Sequence, residues 1–270
     1  MSQIQGPEAS AGWPGFFRIL RRRHFSPFKT YVNREHRTVV VLNPKVGTKS
    51  FRQALTDGMR AVFGVTDPSE GRYRLFKKAR EFQFAPIRDY AHAFRFAEEY
   101  QFFCFVRNPY ARLRSAWQNK FAYGHEQGYS RSIRRRELPR LRRFARAAQL
   151  PGGLDGAAIP FATFLAYVES QPSGRRDHHW DDQHKVLLMD DIRYEHCFRL
   201  EREFSPGMRS ILERLALTGP AVEPLLTTRR NASPTEEDPV FTPELAQRVH
   251  RLYSRDFVLF GYAEDSWRGL

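Results

Sequence analysis

Arg37-Thr-Val-Val-Val-Leu-Asn-Pro-Lys-Val-Gly-Thr-Lys-Ser50 is an apolar, β-branched run that passes through a short polar turn into a stretch with helical spacing. Gln101-Phe-Phe-Cys-Phe-Val-Arg-Asn-Pro-Tyr-Ala-Arg-Leu-Arg-Ser115 repeats this design with an aromatic run. Continuous apolar runs of this length are typical of strands buried on both faces of a parallel sheet. The two stretches therefore predict two strand–turn–helix corners.

The rest of the chain favours an α/β fold. Apolar residues recur every four positions between Ser50 and about Phe63, and Asn108-Pro109 combines a helix N-cap with proline at the first helical position. Alternating strands and helices indicate a mainly parallel central sheet flanked by helices, with a P-loop-like nucleotide-binding core. Further predicted elements are helices beginning at Phe161, Pro206 and Thr242, and short strands at 185–189 and 191–194.

The sequence contains no internal repeat and no linker that would divide it. We predict an N-terminal arm over residues 1–36, partly disordered because its first residues are small and polar, and a single domain over residues 37–265. A segment dense in arginine, from Arg131 to Arg146, predicts one or two basic surface helices. They would lie in an insertion at about residues 124–160.

Composition limits the class of partner and the compartment. The 270 residues carry a formal charge of +14, which indicates an anionic partner such as a nucleotide, nucleic acid, acidic polysaccharide or membrane surface. Two cysteines, Cys104 and Cys197, do not make a disulfide framework, and Cys104 lies in an apolar run that predicts a buried, inert thiol. With no apolar run of membrane-spanning length and no secretory signal pattern, we expect a soluble, cytoplasmic chain.

The first corner has the composition of an anion-binding site. Gly47, Thr48, Lys49 and Ser50 stand at a predicted helix N-terminus, where backbone N–H groups and the helix dipole favour an anion. Lys45 adds a point charge, and Gly47 allows close approach of the backbone to a ligand. The turn is not a Walker A loop, because Thr48 separates Gly47 from Lys49. A plain strand–helix turn with surface lysines is the alternative.

The second corner adds a further cation. Arg107 ends the second predicted strand, and Ser115 lies about two helical turns later. Arginine binds phosphate through a bidentate fork, and serine adds a hydrogen bond. In open α/β sheets, ligands bind beyond the carboxyl ends of the strands, where both corners would lie. Arg107 stands where a nucleoside triphosphatase carries a magnesium-binding aspartate, which argues against a kinase or ATPase.

Both corners resemble known motifs of sulfotransferases. Pro44-Lys-Val-Gly-Thr-Lys-Ser50 resembles their 5′-phosphosulfate loop, and Val106-Arg-Asn-Pro-Tyr-Ala-Arg-Leu-Arg-Ser-Ala-Trp117 closely resembles their 3′-phosphate-binding segment. His179-Trp-Asp-Asp-Gln183 and Phe198-Arg-Leu-Glu201 resemble later elements in the same order. Within the sulfotransferases, the chain resembles the branch of the Golgi-type carbohydrate enzymes (sulfotransferase family 2) and their bacterial relatives. The likeness covers roughly residues 38–262 and departs at Lys49, where the family usually has Ser or Thr.

The resemblance implies a reaction and a donor. The donor would be 3′-phosphoadenosine 5′-phosphosulfate (PAPS), and the acceptor a hydroxyl of a carbohydrate or glycolipid. Lys45 would contact the bridging and leaving phosphate oxygens, Arg107 and Ser115 would hold the 3′-phosphate, and Arg230 would close over the nucleotide. The family needs no metal, and no His/Cys ligand spacing occurs here. The implied donor-binding set is Lys45, Val46, Gly47, Thr48, Lys49, Ser50, Arg107, Ser115 and Arg230.

The acceptor hydroxyl needs a general base, and two histidines are candidates. His92 lies between the two corners, where related enzymes often place a catalytic histidine. A surface or packing role is its alternative. His179 lies in an element that matches the family better, although that element could instead bind the acceptor or order the loop.

Other functions stay open at this level. The acceptor could be a non-sugar small molecule, the arginine-rich segment could bind nucleic acid, or the chain could be a nucleotide-binding scaffold that has lost transfer activity. The same basic segment indicates an anionic acceptor, or recruitment to anionic lipid at the inner face of the membrane.

Overall fold

The structure is a computed structural model that describes residues 13–25, 30–63, 87–122, 130–151, 158–219 and 240–270. The strands are β1 (Thr30–Asn33), β2 (Thr38–Val41), β3 (Gln101–Val106) and β4 (His196–Arg199). The α-helices are α1 (Trp13–Leu20), α2 (Thr48–Phe63), α3 (Ile87–Arg95), α4 (Pro109–Trp117), α5 (Ser130–Ala147), α6 (Phe161–Glu169), α7 (Gln183–Val186), α8 (Leu200–Arg214), α9 (Pro243–Leu252) and α10 (Ser254–Phe260). A π-helical turn at Gln118–Ala122 and 3₁₀ turns at Ala97–Glu99 and Ser266–Gly269 complete the described elements.

The chain forms two compact units. Unit 1 comprises Met1–Arg107 and Gln183–Ala232, and unit 2 comprises Asn108–Asp182 and Ser233–Leu270. The predicted arm over residues 1–36 and single domain over 37–265 stay predictions, although the sheet already begins at Thr30, inside the predicted arm.

Unit 1 contains a four-stranded sheet with the strand order β1-β2-β3-β4. β1 is antiparallel to β2, while β2, β3 and β4 run parallel to one another. Every residue of β2 is buried, which explains its β-branched sequence Thr-Val-Val-Val. The predicted α/β fold with a mainly parallel sheet flanked by helices is confirmed.

A hydrophobic core joins this sheet to α2 and α8. Phe105 of β3 packs against Phe51 of α2, Phe198 of β4 and Phe204 of α8, with ring centroids 5.4–6.2 Å apart. Because the two helices that flank the first corner share this core, the corner stands on a packed base. Other buried members are Val40, Leu42, Val46, Ala54, Leu55, Phe103, Met208, Ile211, Leu212, Leu215 and Leu217.

The prediction of strands at 185–189 and 191–194 is wrong. α7 covers the start of the first segment, and the Leu187 N–H donates to the Gln183 carbonyl oxygen at 2.8 Å. A short apolar run suits a buried helical turn as well as a strand, so periodicity could not separate the two. The strand of this region is β4, where Cys197 pairs beside Cys104 of β3.

The helix predicted from Pro206 begins earlier, at Leu200. Because proline is common in the first turn of a helix, Pro206 predicts a helix start that lies too far along the chain.

The described part of unit 2 is helical. The side-chain oxygen of Asn108 accepts from the N–H groups of Tyr110 and Ala111, at 2.9 and 3.5 Å, and Pro109 opens α4, so the predicted N-cap is confirmed. α5 is one basic helix that runs through Pro139. Among the helices of the described residues, none has both the length and the apolar character needed to cross a bilayer.

Candidate functional site

The turn after β2 has a constrained backbone. Lys45 and Gly47 have φ angles of 69° and 77°, in the left-handed region that a lysine rarely adopts. Thr48 Oγ1 donates to the Asn43 carbonyl oxygen at 2.9 Å and so closes the turn. α2 begins at Thr48, and the first N–H groups of any helix lack intrahelical acceptors. This is the geometry in which a helix N-terminus can bind an anion.

Gly47 is sterically required as well as conformationally suited. A Cβ atom at this position would lie 3.0 Å from Leu200 Cδ1 and 3.4 Å from Phe204 Cε2. The first turns of α8 therefore pack directly against the turn. Val46, beside Gly47, is 3 % exposed and belongs to the core of unit 1. Its contribution to a ligand would come from its backbone.

The guanidinium group of Arg107 lies against the same turn. Arg107 Nη1 donates to the Lys45 carbonyl oxygen at 3.1 Å. Because β2 and β3 are parallel neighbours, the residues that follow them meet at one edge of the sheet. A guanidinium has five N–H donors in a fixed fork, so one that contacts a carbonyl oxygen can also bind a phosphate. Arg107 thus lies against the backbone of Lys45, as expected for two corners at the carboxyl ends of parallel strands.

A buried glutamine joins the ends of β2 and β3. Gln183 Oε1 accepts from Asn43 Nδ2 at 2.8 Å and from the Arg107 N–H at 3.0 Å. Gln183 Nε2 donates to the Arg107 carbonyl oxygen at 2.8 Å. Gln183 and Asn43 are both completely buried. Neither residue is a predicted site residue, and the sequence signal for Gln183 is its place at the end of the His179–Gln183 element.

In unit 2, α4 carries Ser115 and is tied to the segment that contains His179. Ser115 is 8 % exposed. Arg112 donates through Nη1 to the Asp181 carbonyl oxygen at 2.6 Å and through Nη2 to the His178 carbonyl oxygen at 2.8 Å. Burial lowers the pKa of Arg112, and these contacts satisfy the buried group. The helix of the second corner and the His179 segment therefore form one hydrogen-bonded structure.

His179 forms a close pair with an acidic side chain. Its Nδ1 lies 2.6 Å from Asp177 Oδ1, and the same oxygen accepts the His179 backbone N–H at 3.0 Å. The second oxygen of Asp177 contacts Arg136 Nη2. Burial acts to raise the pKa of Asp177, but the hydrogen bond from His179 and the charges of His178 and His179 outweigh it and hold that pKa below its usual value. Asp177 is another functional candidate that we did not predict.

His92 lies at the opposite end of the strands from the turn. Its Nδ1 is 2.9 Å from Tyr100 Oη and 3.4 Å from Arg37 Nη1. Arg37 directly precedes β2 and Tyr100 directly precedes β3, whereas Lys45 and Arg107 follow these strands. Burial and the charges of Arg34 and Arg37 lower the pKa of His92. This placement argues against the general-base role that we predicted for His92, because parallel strands separate their amino and carboxyl ends.

The remaining predicted site residues are Lys49, Ser50 and Arg230. Lys49 lies in the first turn of α2, and Ser50 follows it, partly buried. Arg230 lies outside the described residues. Asp177, His178 and His179 each have one possible ligand atom, and the three atoms lie close enough together to bind one metal ion. Since the short Asp177–His179 contact is already explained by a hydrogen bond, we assign no metal there.

Comparison with known proteins identifies the family of the chain. The model of the "Sulfotransferase family" matches residues 29–263. Carbohydrate sulfotransferase 12 of Mus musculus is 30 % identical over 175 residues, which cover 61 % of this chain and 41 % of the mouse protein. Carbohydrate sulfotransferase 14 of Homo sapiens is 27 % identical over 173 residues, covering 63 % of this chain and 42 % of the human protein.

A third relative shows the same partial coverage. Carbohydrate sulfotransferase 11 of Mus musculus is 24 % identical over 176 residues, covering 63 % of this chain and 49 % of its own length. The chain thus spans less than half the length of these curated relatives. No solved structure matches the chain significantly. The match to the family model extends over most of the chain and includes the Lys45 turn, Arg107 and the His179–Gln183 element, and the chain belongs to the sulfotransferase family.

Proposed function

We propose that this chain transfers a sulfonate group from PAPS to a hydroxyl of a carbohydrate acceptor. The observation that carries the proposal is the turn between β2 and α2, with its left-handed Lys45 and Gly47 and the guanidinium of Arg107 against it. Family membership supports the reaction type, and the printed names of the relatives support a carbohydrate as acceptor.

The donor suits the chemistry of the turn. PAPS carries anionic groups at the 5′ and 3′ positions of its ribose. We assign the 5′-phosphosulfate to Lys45, Thr48, Ser50 and the backbone N–H groups at the start of α2, and the 3′-phosphate to Arg107. Thr48 already uses its hydroxyl proton on the Asn43 carbonyl, so it would contribute through its backbone N–H. Ser115, Lys49 and Arg230 stay predictions for the same donor.

The reaction needs charge stabilisation and a base. An acceptor oxygen forms a bond to sulfur, the bond from sulfur to the 5′-phosphate oxygen breaks, and the acceptor loses its proton. Negative charge then develops on the leaving phosphate, where a nearby cation such as Lys45 lowers the barrier. We assign removal of the proton to His179, whose hydrogen-bonded carboxylate partner gives it the form of a general base.

The basic helix α5 supports a proposal about the charge of the acceptor. Arg135, Arg143 and Arg146 are exposed on this helix. An anionic glycan, or an anionic lipid surface that presents a glycolipid, would be attracted to them. If the acceptor is an anionic glycan, changing the three arginines to glutamine should raise its KM. If the helix binds an anionic lipid surface, the same change should abolish binding to vesicles that contain anionic lipid.

Calorimetric titration with 3′-phosphoadenosine 5′-phosphate, the product of the donor, tests the donor site. We expect micromolar binding to the native chain and about 30-fold weaker binding to Arg107→Ala, because a charge-assisted hydrogen bond contributes about 2 kcal/mol. Arg214→Ala, an exposed arginine in the last turn of α8, is the matched control and should bind as the native chain does. No binding to the native chain would contradict the proposal.

A transfer assay then identifies the acceptor class. The native chain is incubated with PAPS and a panel of neutral glycans, anionic glycans and non-sugar hydroxyl compounds. Mass spectrometry then identifies which compounds have gained a sulfonate group. Sulfonation confined to the non-sugar compounds would support the small-molecule alternative. The nucleic-acid alternative predicts salt-sensitive binding of DNA or RNA that survives Arg107→Ala and is lost when Arg135, Arg143 and Arg146 are neutralised.

A further inference from the structure

We infer that Asp177 is the positioning residue of the general base, fixing His179 with its proton on Nδ1, and that Arg136 on α5 holds Asp177 in place. This inference rests on the proposed function, since it gives His179 a role in that reaction. All the residues involved lie in unit 2.

The orientation of His179 follows from two contacts with one oxygen. Asp177 Oδ1 accepts the His179 backbone N–H at 3.0 Å and lies 2.6 Å from the ring nitrogen Nδ1. An ionised carboxylate can only accept hydrogen bonds, so Nδ1 must carry the hydrogen. In the neutral ring the basic nitrogen is then Nε2. The ring is therefore fixed both in direction and in tautomer, which are the two requirements for proton transfer at a defined atom.

Asp177 is held as a buried anion. Its side chain is 3 % exposed, and its other carboxylate oxygen contacts Arg136 Nη2. The charged and titratable groups facing it are Arg136 from α5 and the rings of His178 and His179, whose centroids lie 4.2 Å apart. Burial acts to raise the pKa of Asp177, but the hydrogen bonds from His179 and the charges of the two histidines lower it further than burial raises it. A permanent negative charge at this distance favours the imidazolium that forms when His179 takes a proton.

Arg136 is itself oriented by a buried glutamate. Glu137 is 5 % exposed, and its Oε1 accepts from Arg136 Nε at 2.8 Å and from Arg140 Nη1 at 3.2 Å. Tyr167 Oη donates to Glu137 Oε2 at 2.9 Å. Although half of the Arg136 side chain is exposed, its guanidinium bridges two buried carboxylates. Arg136 of the basic helix α5 therefore helps to hold the Asp177–His179 pair in place.

The partial exposure of the His179 ring lets the pair act on a substrate. The His179 side chain is 16 % exposed, while Asp177 is almost completely enclosed. A hydroxyl group can thus approach the ring but not the carboxylate. This division separates a catalytic group that touches substrate from a positioning residue that acts through it.

The test compares Asp177→Asn with the native chain in the transfer assay across pH. We expect kcat to fall about 10³-fold, because an amide can donate to Nδ1 and so stabilise the wrong tautomer. The acid limb of kcat/KM should move to lower pH by about one unit, because a neighbouring anion that favoured the imidazolium has been removed. KM for the acceptor and the affinity for 3′-phosphoadenosine 5′-phosphate should stay within about threefold of the native values.

Two further variants separate positioning from stability. Asp177→Glu keeps the charge and should retain the acid limb of the native profile. Glu169→Gln removes a carboxylate that pairs with Arg248 in the same unit, and it should leave the pH profile unchanged. A fall in kcat for Asp177→Asn without a shift of the acid limb would overturn the inference and leave a structural role.

A measurement on the native chain keeps the inference testable if Asp177→Asn does not fold. Nitrogen-15 chemical shifts of the histidine rings, assigned to His179 with His179→Gln, report which ring nitrogen carries the proton above the pKa of the ring. The Nδ1–H tautomer is expected, and an Nε2–H tautomer would overturn the inference. Absence of donor binding and transfer in the native chain would instead contradict the proposed function, so the two failures are distinguishable.

Discussion

Gln183 makes two hydrogen bonds to the backbone of Arg107, accepting its N–H at 3.0 Å and donating to its carbonyl oxygen at 2.8 Å. These residues are 76 positions apart in sequence. Through its bond from Asn43, the same side chain also holds the residue that begins the turn after β2. A single amide therefore sets the spacing of the two backbone segments that we assign to the donor.

Loss of this amide should destabilise the protein. For Gln183→Leu we expect the free energy of unfolding to fall by about 3 kcal/mol, because the buried Asn43 side chain and two partly buried backbone groups of Arg107 lose a hydrogen-bond partner, at about 1–3 kcal/mol for a buried group. Urea unfolding followed by circular dichroism measures the change. Gln53→Leu is the control, because Gln53 bonds to Asp57 on the same partly exposed helix face and its loss should cost less than about 0.5 kcal/mol. Equal losses in the two variants would contradict the prediction.

Alanine substitutions at Gly47 and Gly174 separate the effect of backbone strain from the effect of steric crowding by the added methyl group. Both have left-handed φ angles, 77° and 76°, so alanine should cost about 1–2 kcal/mol at either position. At Gly47 the new Cβ also meets Leu200, whereas at Gly174 no described atom lies within 4 Å. We expect Gly47→Ala to lower both the free energy of unfolding and the affinity for 3′-phosphoadenosine 5′-phosphate more than Gly174→Ala does. Identical donor affinities would show that the turn tolerates the added methyl group.

The same substitution at two histidines tests which one is the base. His179→Asn should lower kcat by about 10²- to 10⁴-fold, the usual contribution of general base catalysis. His92→Asn should keep kcat within about threefold of the native value, because His92 lies at the amino ends of β2 and β3. Steady-state transfer assays at saturating PAPS measure both. A larger loss in His92→Asn than in His179→Asn would reverse the assignment.

The Asp177 pair should make stability depend on pH. The pKa of Asp177 is lower in the folded chain than in the unfolded chain, where it is about 3.9. The stabilisation of the folded chain by ionised Asp177 is therefore fully present above about pH 5 and is lost as the pH falls through the unfolded pKa toward the folded pKa. The difference in unfolding free energy between the native chain and Asp177→Asn should be larger at pH 7 than at pH 3. Thr163→Val, which removes a non-titrating bond to the Pro151 carbonyl, should cost the same at both values.

The two cysteines should differ in reactivity. Cys104 is completely buried, which confirms the predicted environment, and burial followed by its hydrogen bond with Cys197 raises its pKa. In Cys197→Ser, which retains Cys104, a disulfide reagent should react at least about 100-fold more slowly with the folded chain than with the denatured chain. In Cys104→Ser, the half-buried Cys197 should react faster than Cys104 does. Rapid modification of Cys104 in the folded chain would contradict its burial.

Much of the fold could be predicted because its signals are local. The β-branched run of β2, the aromatic run of β3 and the Asn108-Pro109 cap each act through neighbouring residues, and each was confirmed. β4 was missed because its four residues, His196 to Arg199, mix polar and apolar side chains. The placement of Lys45 beside Arg107 was also predictable, since it follows from two parallel strands that end at the same edge.

The sequence by itself determined the two corners, the mainly parallel sheet and, through motifs at the corners, the family. Only the tertiary structure decided that Gln183 joins the corners, that Asp177 orients His179, and that His92 lies at the amino ends of the strands. Helical spacing, capping and apolar runs depend on residues a few positions apart, so they can be read along the chain. Hydrogen bonds between Gln183 and Arg107, or between Arg136 and Asp177, depend on distances in space that exist only after the chain has folded.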